Sequence, residues 1–367
     1  MTNNGHPVKV GVIGAGNISG QYLTNMCSFP DLAVCFIADV QTERARAQAE
    51  SFRIPRWGTV DELLDDPEIE IVVNITTPND HVTVGLAAIA AGKHVWSEKP
   101  IALDRASAQT LLAAAAQAGV RYACAPDTFL GPGLQTARAV LERNEIGTPM
   151  TALTLMQQPG PESWHPDPAF LFQAGAGPLF DVGPYYLTAL VSMFGPIRRV
   201  SARASRARET RVIGSGPKRG ESFSVTVPTH VAALYEFDGG GSAQCVFSFD
   251  SAIRRTLFEI TGVLGSLEVC DPNVFVGNTV LHQGDSTRTI RVSGDPAARG
   301  TGVVELARAI RAGVPERASG EQAFHVLDAM IATTEASTMD EWVPVASTFT
   351  PTPVLPEGWD PRERTVR

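Results

Sequence analysis

Lysine is rare in this chain, whose 367 residues include only four: Lys9, Lys93, Lys99 and Lys218. Arginine supplies the remaining positive charge. Because arginine stays protonated whereas a partly buried lysine can release a proton, acid–base chemistry is expected at one of these lysines. Lys99 is the strongest candidate, since it stands between Glu98 and Pro100 at the end of the strand-like run 94–97. The same residues are also typical of a solvated ion pair at a strand end.

Cysteine pairs and long apolar runs are absent as well. The five cysteines show no C-x-x-C pair and no metal-ligand spacing, which predicts small core residues in a reducing compartment and no metal site. No run is long enough to span a membrane, and the opening Met1–Pro7 has no apolar signal core, so we expect a cytoplasmic protein. A net charge of −9 argues against nucleic acid as a partner.

The chain has the length of two globular domains, with 44% hydrophobic and 19% charged residues. Its first third alternates strand-like and helix-like runs at the spacing of βα units. Strands are expected at 8–13, 32–38, 69–76, 94–97 and 121–125, and helices at 80–91 and 105–118. Asp104 is the expected N-cap of the second helix and Gly119 its end. This pattern predicts an α/β Rossmann fold in an N-terminal domain, residues 1–126.

From Pro126 onward, β-rich segments and glycine-rich turns predict an α+β C-terminal domain, residues 127–343, with a large, mainly antiparallel open sheet. Expected helices at 181–194, 302–312 and 321–339 can cover one face of this sheet and leave the other open. The proline-rich tail 344–367 is expected to wrap the surface. The arginine-rich run 198–219 is interpreted as an exposed, solvated hairpin rather than an anion-binding or subunit contact.

A glycine-rich turn follows the first strand and opens a helix, as the dinucleotide-binding fingerprint requires. Gly14 allows the tight turn, and Gly16 lets the backbone approach a pyrophosphate at the helix N-terminus. The third glycine position holds Ser19, a small departure from the pattern. Asp39 ends the next strand, about 20 residues later, where a carboxylate binds the ribose hydroxyls of NAD and repels the 2′-phosphate of NADP. Asp39 is also placed to cap the helix that starts at Thr42.

Three segments together resemble one known family. They are Gly14–Ile18, the block from Thr76 to Pro100 containing Thr76-Thr77-Pro78-Asn79-Asp80-His81 and Glu98-Lys99-Pro100, and Gly175–Tyr185. In this order they resemble the glucose–fructose oxidoreductase / inositol dehydrogenase / rhizopine-catabolism (Gfo/Idh/MocA) family of sugar and cyclitol dehydrogenases. The resemblance implies an NAD-dependent oxidoreductase, with NADP less favoured. The cofactor-binding residues that it implies are Gly14, Gly16, Asn17, Ile18, Asp39, Thr76, Thr77, Pro78, Asn79, His81, Glu98 and Lys99.

The resemblance also implies the catalytic residues Lys99, Asp181 and Tyr185. Asp181 and Tyr185 are expected on one face at the start of a helix, and the family commonly has histidine at the second position. Tyrosine ordinarily has a pKa near 10 and needs a neighbouring cation to act as a base, so either Lys99 or Tyr185 can carry the proton. The alternative for Asp181 is a helix N-cap, and for Tyr185 a half-buried aromatic.

Four further residues are considered for the same site. Trp164 and His165 suit a sugar ring, which stacks on an aromatic face and hydrogen-bonds an imidazole, or else they anchor a loop. Asp127 follows the last Rossmann strand, where nicotinamide or substrate is expected. His81 is expected to brace its turn. The substrate-binding residues thus expected are Lys99, Asp127, Trp164, His165, Asp181 and Tyr185.

The expected function is hydride transfer between NAD(H) and a secondary hydroxyl or carbonyl group of a sugar, cyclitol or polyol. A dihydrodiol or anhydro-sugar carbonyl reductase is the alternative within oxidoreductases. A regulator that senses NAD and sugar without turnover is the alternative from another class, and the intact Lys99 and Asp181 favour an enzyme. Relatives form homodimers or homotetramers through the open sheet face, which the resemblance implies here too.

Overall fold

A computed structural model describes residues 5–292 and 298–365 of the protein. The chain packs as two compact units. The first draws on the ranges Met1–Pro132, Ser293–Leu327 and Thr352–Arg367, and the second on Gly133–Val292 and Asp328–Pro351. Each unit therefore gathers separate stretches of sequence.

The first unit holds a six-stranded, all-parallel sheet in the order β3-β2-β1-β4-β5-β6. Its strands are β1 (Val8–Ile13), β2 (Leu32–Ala38), β3 (Arg56–Gly58), β4 (Ile71–Asn74), β5 (His94–Ser97) and β6 (Tyr122–Cys124). Its helices are α1 (Ser19–Met26), α2 (Thr42–Phe52), α3 (Val60–Leu64), α4 (His81–Ala90), α5 (Arg105–Ala118) and α9 (Thr301–Ala312). The Rossmann prediction is confirmed, while strand β3 and helix α3 were not foreseen.

Local sequence signals set the ends of helix α5. The Asp104 side chain accepts a hydrogen bond from the Ser107 N–H at 2.8 Å, satisfying a donor that has no partner within the helix. Gly119 ends the helix with φ +66°, a left-handed conformation that glycine adopts without a Cβ clash. Both ends agree with the sequence prediction.

Helix α9 belongs to the first unit although it follows the second unit in sequence. The backbone of Gly302 lies so close to Trp96 in β5 that a Cβ there would overlap the indole ring. Trp96 is fully buried. This packing differs from the contiguous domains expected at 1–126, 127–343 and 344–367, because the Rossmann sheet needs a helix from residues 301–312 to cover β5.

The second unit holds a nine-stranded sheet in the order β16-β15-β14-β13-β7-β12-β11-β8-β17. Its strands are β7 (Pro149–Pro159), β8 (Ile197–Ser205), β11 (His230–Phe237), β12 (Ser242–Ser248), β13 (Asp250–Gly262), β14 (Ser266–Glu268), β15 (Thr279–Gln283), β16 (Ser286–Ile290) and β17 (Val343–Pro344). The hairpin β9 (Thr210–Val212) and β10 (Ser222–Ser224) stands apart from this sheet. Only the β12–β7 pair is parallel among the strand pairs of the described sheet, so the prediction of a mainly antiparallel sheet is confirmed.

Helices α6 (Pro132–Glu142), α7 (Gly177–Asp181), α8 (Gly183–Phe194) and α10 (Gly320–Met339) complete the fold. The two faces of the large sheet differ. Tyr235 in β11 is fully buried and shares a hydrogen bond of 2.8 Å with Thr333 in α10. On the other face, a row that crosses four adjacent strands is only partly buried: Ala232, Val246, Leu155 and Leu257.

The helix expected at 181–194 is two helices. Helix α7 ends at Asp181, Val182 adopts φ −108°, and α8 begins at Gly183. Proline has no N–H, so Pro184 cannot donate to the carbonyl of Phe180 as one continuous helix requires. Asp181 is therefore the last residue of one helix and Tyr185 lies in the first turn of the next, which corrects the prediction that a single helix start carries both.

The described end of the tail is fixed to the first unit by Arg308 of α9. Its guanidinium group donates to the carbonyl oxygens of Asp360 at 2.8 Å and Glu363 at 2.6 Å. The same group lies over the Trp359 ring, 4.9 Å from its centroid. These contacts hold a segment without helix or strand against the first unit.

Candidate active site

The glycine turn between β1 and α1 has the geometry that a dinucleotide requires. Gly14 has φ +111°, and a Cβ there would lie 2.7 Å from the carbonyl oxygen of Ile75. A Cβ at Gly16, in contrast, would meet no protein atom within 4 Å. Gly14 is thus required by the fold, whereas Gly16 keeps exposed backbone open to a ligand. Ser19, at the third glycine position, donates its hydroxyl to the Gly16 carbonyl at 2.6 Å.

Asp39 faces this turn from the end of β2. One carboxylate oxygen accepts from the Ala15 N–H at 2.7 Å, and the other accepts from the Gln41 N–H at 2.8 Å. Each carboxylate oxygen has two lone pairs, so both retain capacity for ribose hydroxyls. The residues present therefore fit NAD, with Gly14, Gly16 and Asp39 around the expected positions of its pyrophosphate and ribose. Asn17 and Ile18 follow Gly16 on the exposed side of the turn.

The segment after β4 is organised by Asn74. Its side-chain oxygen accepts from the Thr76 hydroxyl at 2.6 Å, and its amide donates to the His81 carbonyl at 3.0 Å. Thr77 donates its hydroxyl to Asp80 at 2.6 Å. Thr77, Pro78 and Asn79 are exposed, as residues that meet a cofactor must be. His81, in contrast, is 1% exposed, so its ring faces protein rather than solvent.

Glu98 lies at the end of β5 and holds a buried network that the sequence did not reveal. One of its carboxylate oxygens accepts from the Tyr22 hydroxyl at 2.8 Å and lies 3.5 Å from the Arg299 guanidinium group. The other accepts from the Lys99 N–H at 3.0 Å. Burial raises the pKa of Tyr22 well above its usual value, so the phenol stays protonated and donates. Glu98 thereby braces the backbone of the candidate catalytic Lys99.

Asp127 is fully buried and caps helix α9. One carboxylate oxygen accepts from the Gly300 N–H at 2.8 Å and from the Gly302 N–H at 3.2 Å. Burial raises its pKa to about 6, partly opposed by Arg299. With no exposed surface, Asp127 acts within the first unit by anchoring α9, and a direct contact with substrate stays a prediction.

In the second unit, Asp181 and Tyr185 lie on either side of the break between α7 and α8. Asp181 is half-buried and Tyr185 is 5% exposed. Val182, the residue at the break, lines a cavity of about 220 Å³. The polar side chains around that cavity are Gln157, Gln158, Arg254, Arg255, Thr256, Asp271 and Asn273. Amides, a hydroxyl, a carboxylate and two guanidinium groups together can pair with several hydroxyl groups.

Trp164 and His165 form an aromatic cluster with Phe170. The His165 ring lies edge-on to both neighbours, with ring centroids 5.5 Å apart in each case. Trp164 is 59% exposed and Phe170 is 57% exposed. Phe170 lies in a 3-10 turn, Ala169–Phe172, that contacts helix α7. Sequence reasoning found the first two residues and missed Phe170.

Arg211 supports the segment that carries this cluster. Its side chain is buried, forms ion pairs with Glu162 and Asp250, and lies over the Phe172 ring, 4.9 Å from the centroid. The interpretation of the run 198–219 as a solvated hairpin is therefore wrong for Arg211, because two carboxylates from distant segments draw the guanidinium group inward. The hairpin itself is observed as β9 and β10.

Two family models match the chain. Residues 8–125 match the oxidoreductase family with an NAD-binding Rossmann fold, and residues 134–268 match the GFO/IDH/MocA C-terminal domain. An uncharacterised oxidoreductase of Rhizobium meliloti, ORF334, is 31% identical over 270 residues, which are 72% of this chain and 75% of that protein. The chain belongs to the Gfo/Idh/MocA family.

A curated relative and a solved structure also match large parts of the chain. Trans-1,2-dihydrobenzene-1,2-diol dehydrogenase of Mus musculus is 27% identical over 270 residues, 71% of this chain and 74% of the relative. A solved structure of levoglucosan dehydrogenase with NADH and L-sorbose has a TM-score of 0.80 and 22% identity, covering 93% of this chain and 100% of that one. At this identity the structural likeness establishes the fold alone.

Membership of the Gfo/Idh/MocA family makes the chain an NAD-binding oxidoreductase, in agreement with the glycine turn and Asp39. Within residues 5–292 and 298–365, no helix has the length and apolar character to cross a membrane. In the same ranges, no cluster of three or more His, Cys, Asp or Glu side chains has the arrangement to hold a metal ion.

Proposed function

We propose that the protein transfers a hydride between NAD and a secondary hydroxyl or carbonyl group of a sugar, cyclitol or related polyol. The observation that carries this proposal is the set of residues at one edge of the parallel sheet. The glycine turn, the Thr76–Asn79 segment and Lys99 follow β1, β4 and β5, whose carboxyl ends share that edge. Nucleotides bind at this edge in open α/β sheets.

The reaction needs a base for the hydroxyl proton as well as a hydride acceptor, which bound NAD supplies. Lys99 or Tyr185 takes the proton from the substrate hydroxyl. Asp181 accepts a hydrogen bond from a neighbouring hydroxyl and orients the sugar. Glu98 holds the Lys99 backbone through the hydrogen bond of 3.0 Å to its N–H.

A polyhydroxylated substrate is supported by the second unit. Exposed Trp164 beside His165 offers a stacking face next to a hydrogen-bonding ring. The polar cavity at Val182 offers several partners for hydroxyl groups. We assign cofactor binding to residues 1–126 of the first unit, and substrate binding and oligomerisation to those of residues 127–343 that belong to the second unit, with 344–367 as a surface tail.

The test is a panel of sugars and cyclitols with NAD and NADP, followed by the absorbance of the reduced nicotinamide, on wild type and Lys99→Met. Loss of an acid–base group lowers turnover by roughly 10²–10⁴-fold, so Lys99→Met should lose turnover while its affinity for NAD stays close to wild type. Lys93→Met is the matched control, because this buried amine donates to the Asp66 carbonyl at 2.6 Å within the same unit. Near-normal turnover of Lys99→Met, or failure to bind NAD, would refute the assigned role.

A second candidate is the oxidation of dihydrodiols. The dihydrodiol dehydrogenase from mouse matches 71% of the chain, and tyrosine stands at position 185 rather than the histidine common in the family. Including trans-dihydrodiols and anhydro-sugars in the same panel decides between the substrates. Binding of NAD with no turnover of any compound would favour a sensing protein instead.

We further propose a homodimer or homotetramer formed through the open face of the large sheet, in the cytoplasm. The aligned apolar row Ala232, Val246, Leu155 and Leu257 supports the interface, since it is only partly buried within one chain. The five free cysteines suit a reducing compartment. Light scattering of wild type and Leu155→Glu tests the interface, and an unchanged mass for the variant would exclude this face.

A further inference from the structure

His81 contacts two backbone carbonyl groups from different segments of the first unit. Its Nδ1 lies 2.8 Å from the carbonyl oxygen of Pro100, and its Nε2 lies 3.2 Å from that of Thr76. The side chain is 1% exposed, so both contacts are protected from water. Carbonyl oxygens only accept hydrogen bonds, so the ring is the donor where it forms one. Burial lowers the pKa of His81, so the ring is neutral and has a single N–H, which donates to one carbonyl group while the ring contacts the other.

The two carbonyl groups belong to the two segments that the proposed reaction must align. Thr76 opens the exposed segment 76–79, which is assigned to the cofactor, and Pro100 directly follows Lys99. The backbone ladder between β4 and β5 ends at Asn74 and Ser97, followed by one hydrogen bond of 2.8 Å from the Glu98 N–H to the Asn74 carbonyl. Beyond that point the strands diverge into loops, and the His81 ring spans the gap between them.

The backbone of His81 is itself fixed. The Asn74 amide donates to its carbonyl at 3.0 Å, while the other side of the same amide accepts from Thr76. His81 is also the first residue of helix α4, which packs on β4 and β5. The ring is therefore held by one hydrogen bond, by its contact with the second carbonyl group and at its own main chain, as a rigid connector requires.

We propose that His81 is a positioning residue that couples the cofactor segment at Thr76 to the Lys99–Pro100 turn. Through its two contacts it sets the place of the Lys99 amine relative to the bound nicotinamide. The inference rests on the proposed function of Lys99. Misplacement of a reacting group by about 1 Å can cost about 10²-fold in rate, so a connector of this kind affects chemistry without touching the substrate.

Two conservative variants separate the two contacts. The asparagine amide nitrogen of His81→Asn falls near the position of Nδ1 and can keep the contact with Pro100. The glutamine amide nitrogen of His81→Gln falls near Nε2 and can keep the contact with Thr76. His81→Ala removes both. His94→Ala is the matched control, because His94 starts β5 at its opposite end and its Nδ1 accepts from the Arg121 N–H at 2.9 Å.

Measured quantities are kcat, the Kd for NADH from fluorescence, and the unfolding midpoint of each variant. His81→Ala should lower kcat by up to about 100-fold, the loss that a misplacement of about 1 Å can cause. His81→Asn should lose more cofactor affinity than turnover, and His81→Gln more turnover than cofactor affinity. His94→Ala should lower only the unfolding midpoint.

The proposal would be overturned if His81→Asn and His81→Gln changed the Kd for NADH equally. It would also be overturned if the changes in kcat and Kd of all variants simply followed their unfolding midpoints. If wild type turns over sugars and the His81 variants have the same kcat and Kd, the role of His81 is refuted and the proposed function stands. A wild type without turnover would refute the proposed function, and the opposite effects on NADH affinity would still decide whether His81 positions the cofactor segment.

Discussion

The carboxylate of Asp39 accepts a hydrogen bond from the backbone N–H of Ala15 at 2.7 Å. This contact joins the end of β2 to the glycine turn, so the residue proposed to select the cofactor also supports the loop that holds it. Removing the whole side chain would disturb both functions. Asp39→Asn separates them, because the amide oxygen can still accept from Ala15 while the charge is lost.

For Asp39→Asn we expect the ratio of the Kd for NADP to the Kd for NAD to fall about tenfold. A charge interaction near a protein surface is worth roughly 1–4 kcal/mol, and about 1.4 kcal/mol corresponds to tenfold. Titration of both cofactors measures the ratio. Asp66→Asn is the control, since Asp66 also accepts from a backbone N–H, that of Glu68, at 2.9 Å. An unchanged ratio in Asp39→Asn would remove the basis for NAD selection.

Tyr185→Phe tests which group carries the proton. If Tyr185 is the base, the variant should lose turnover by about 10²-fold or more and one limb of its pH–rate profile. If Lys99 acts alone, the variant should mainly raise KM and keep the profile. The adjacent Tyr186 supplies the control: it is fully buried and donates to Asp271 at 3.3 Å, so Tyr186→Phe should reduce stability by about 1 kcal/mol and leave the profile unchanged. Equal kinetics for wild type and Tyr185→Phe would restrict Tyr185 to packing.

Asp127→Asn should change how stability depends on pH. In the folded protein the pKa of Asp127 is raised to about 6, from an ordinary value of 3.8. The folded state therefore binds more protons than the unfolded state between about pH 4 and 6, and wild type loses stability as pH rises through this window. The free energy of unfolding of Asp127→Asn, relative to that of wild type, should therefore rise by up to about 3 kcal/mol between pH 4 and 6, at about 1.36 kcal/mol for each pKa unit.

Urea unfolding at pH 4, 5, 6 and 7 measures this difference. The exposed Asp285 gives the control variant Asp285→Asn, for which the difference from wild type should stay constant with pH. A constant difference for Asp127→Asn as well would show that its carboxylate titrates alike in the folded and unfolded states.

Arg211→Met should destabilise the protein by about 3–5 kcal/mol, because it leaves Glu162 and Asp250 with no cationic partner in a largely buried position. Arg219→Met, in the same arginine-rich run but exposed, should change stability by less than about 0.5 kcal/mol. Urea unfolding of both variants makes the comparison. A loss for Arg211→Met as small as that for Arg219→Met would mean that the two ion pairs add nothing to stability.

The sequence predicts a structural feature best where that feature depends on residues close together in the chain. Helix α5 begins and ends where Asp104 and Gly119 predict, since a cap and a left-handed glycine act locally. Proline at position 184 was visible in the sequence, and weighing its missing N–H would have predicted the break after Asp181. Such local signals define much of the Rossmann unit and the glycine turn.

Local sequence signals do not predict contacts between residues that are far apart in the chain. Nothing near Arg211 in the sequence shows that Glu162 and Asp250 lie beside it. Tyr22 fits the apolar pattern of α1, and its type does not show that its hydroxyl donates to Glu98. These contacts arise from tertiary packing. The order of residue types along the chain therefore does not predict them.

Helix α9 packs in the first unit, although it is translated after most of the second unit. A ribosome completes β1 to β6 about 180 residues before it completes Gly300 and Gly302, so the emerging sheet lacks the cover of Trp96 and the partners of Asp127 throughout that interval. A fragment ending at residue 132 would share that defect permanently. We therefore expect the nucleotide-binding unit to reach its final packing only late in translation, after the strands of the second unit have already left the ribosome.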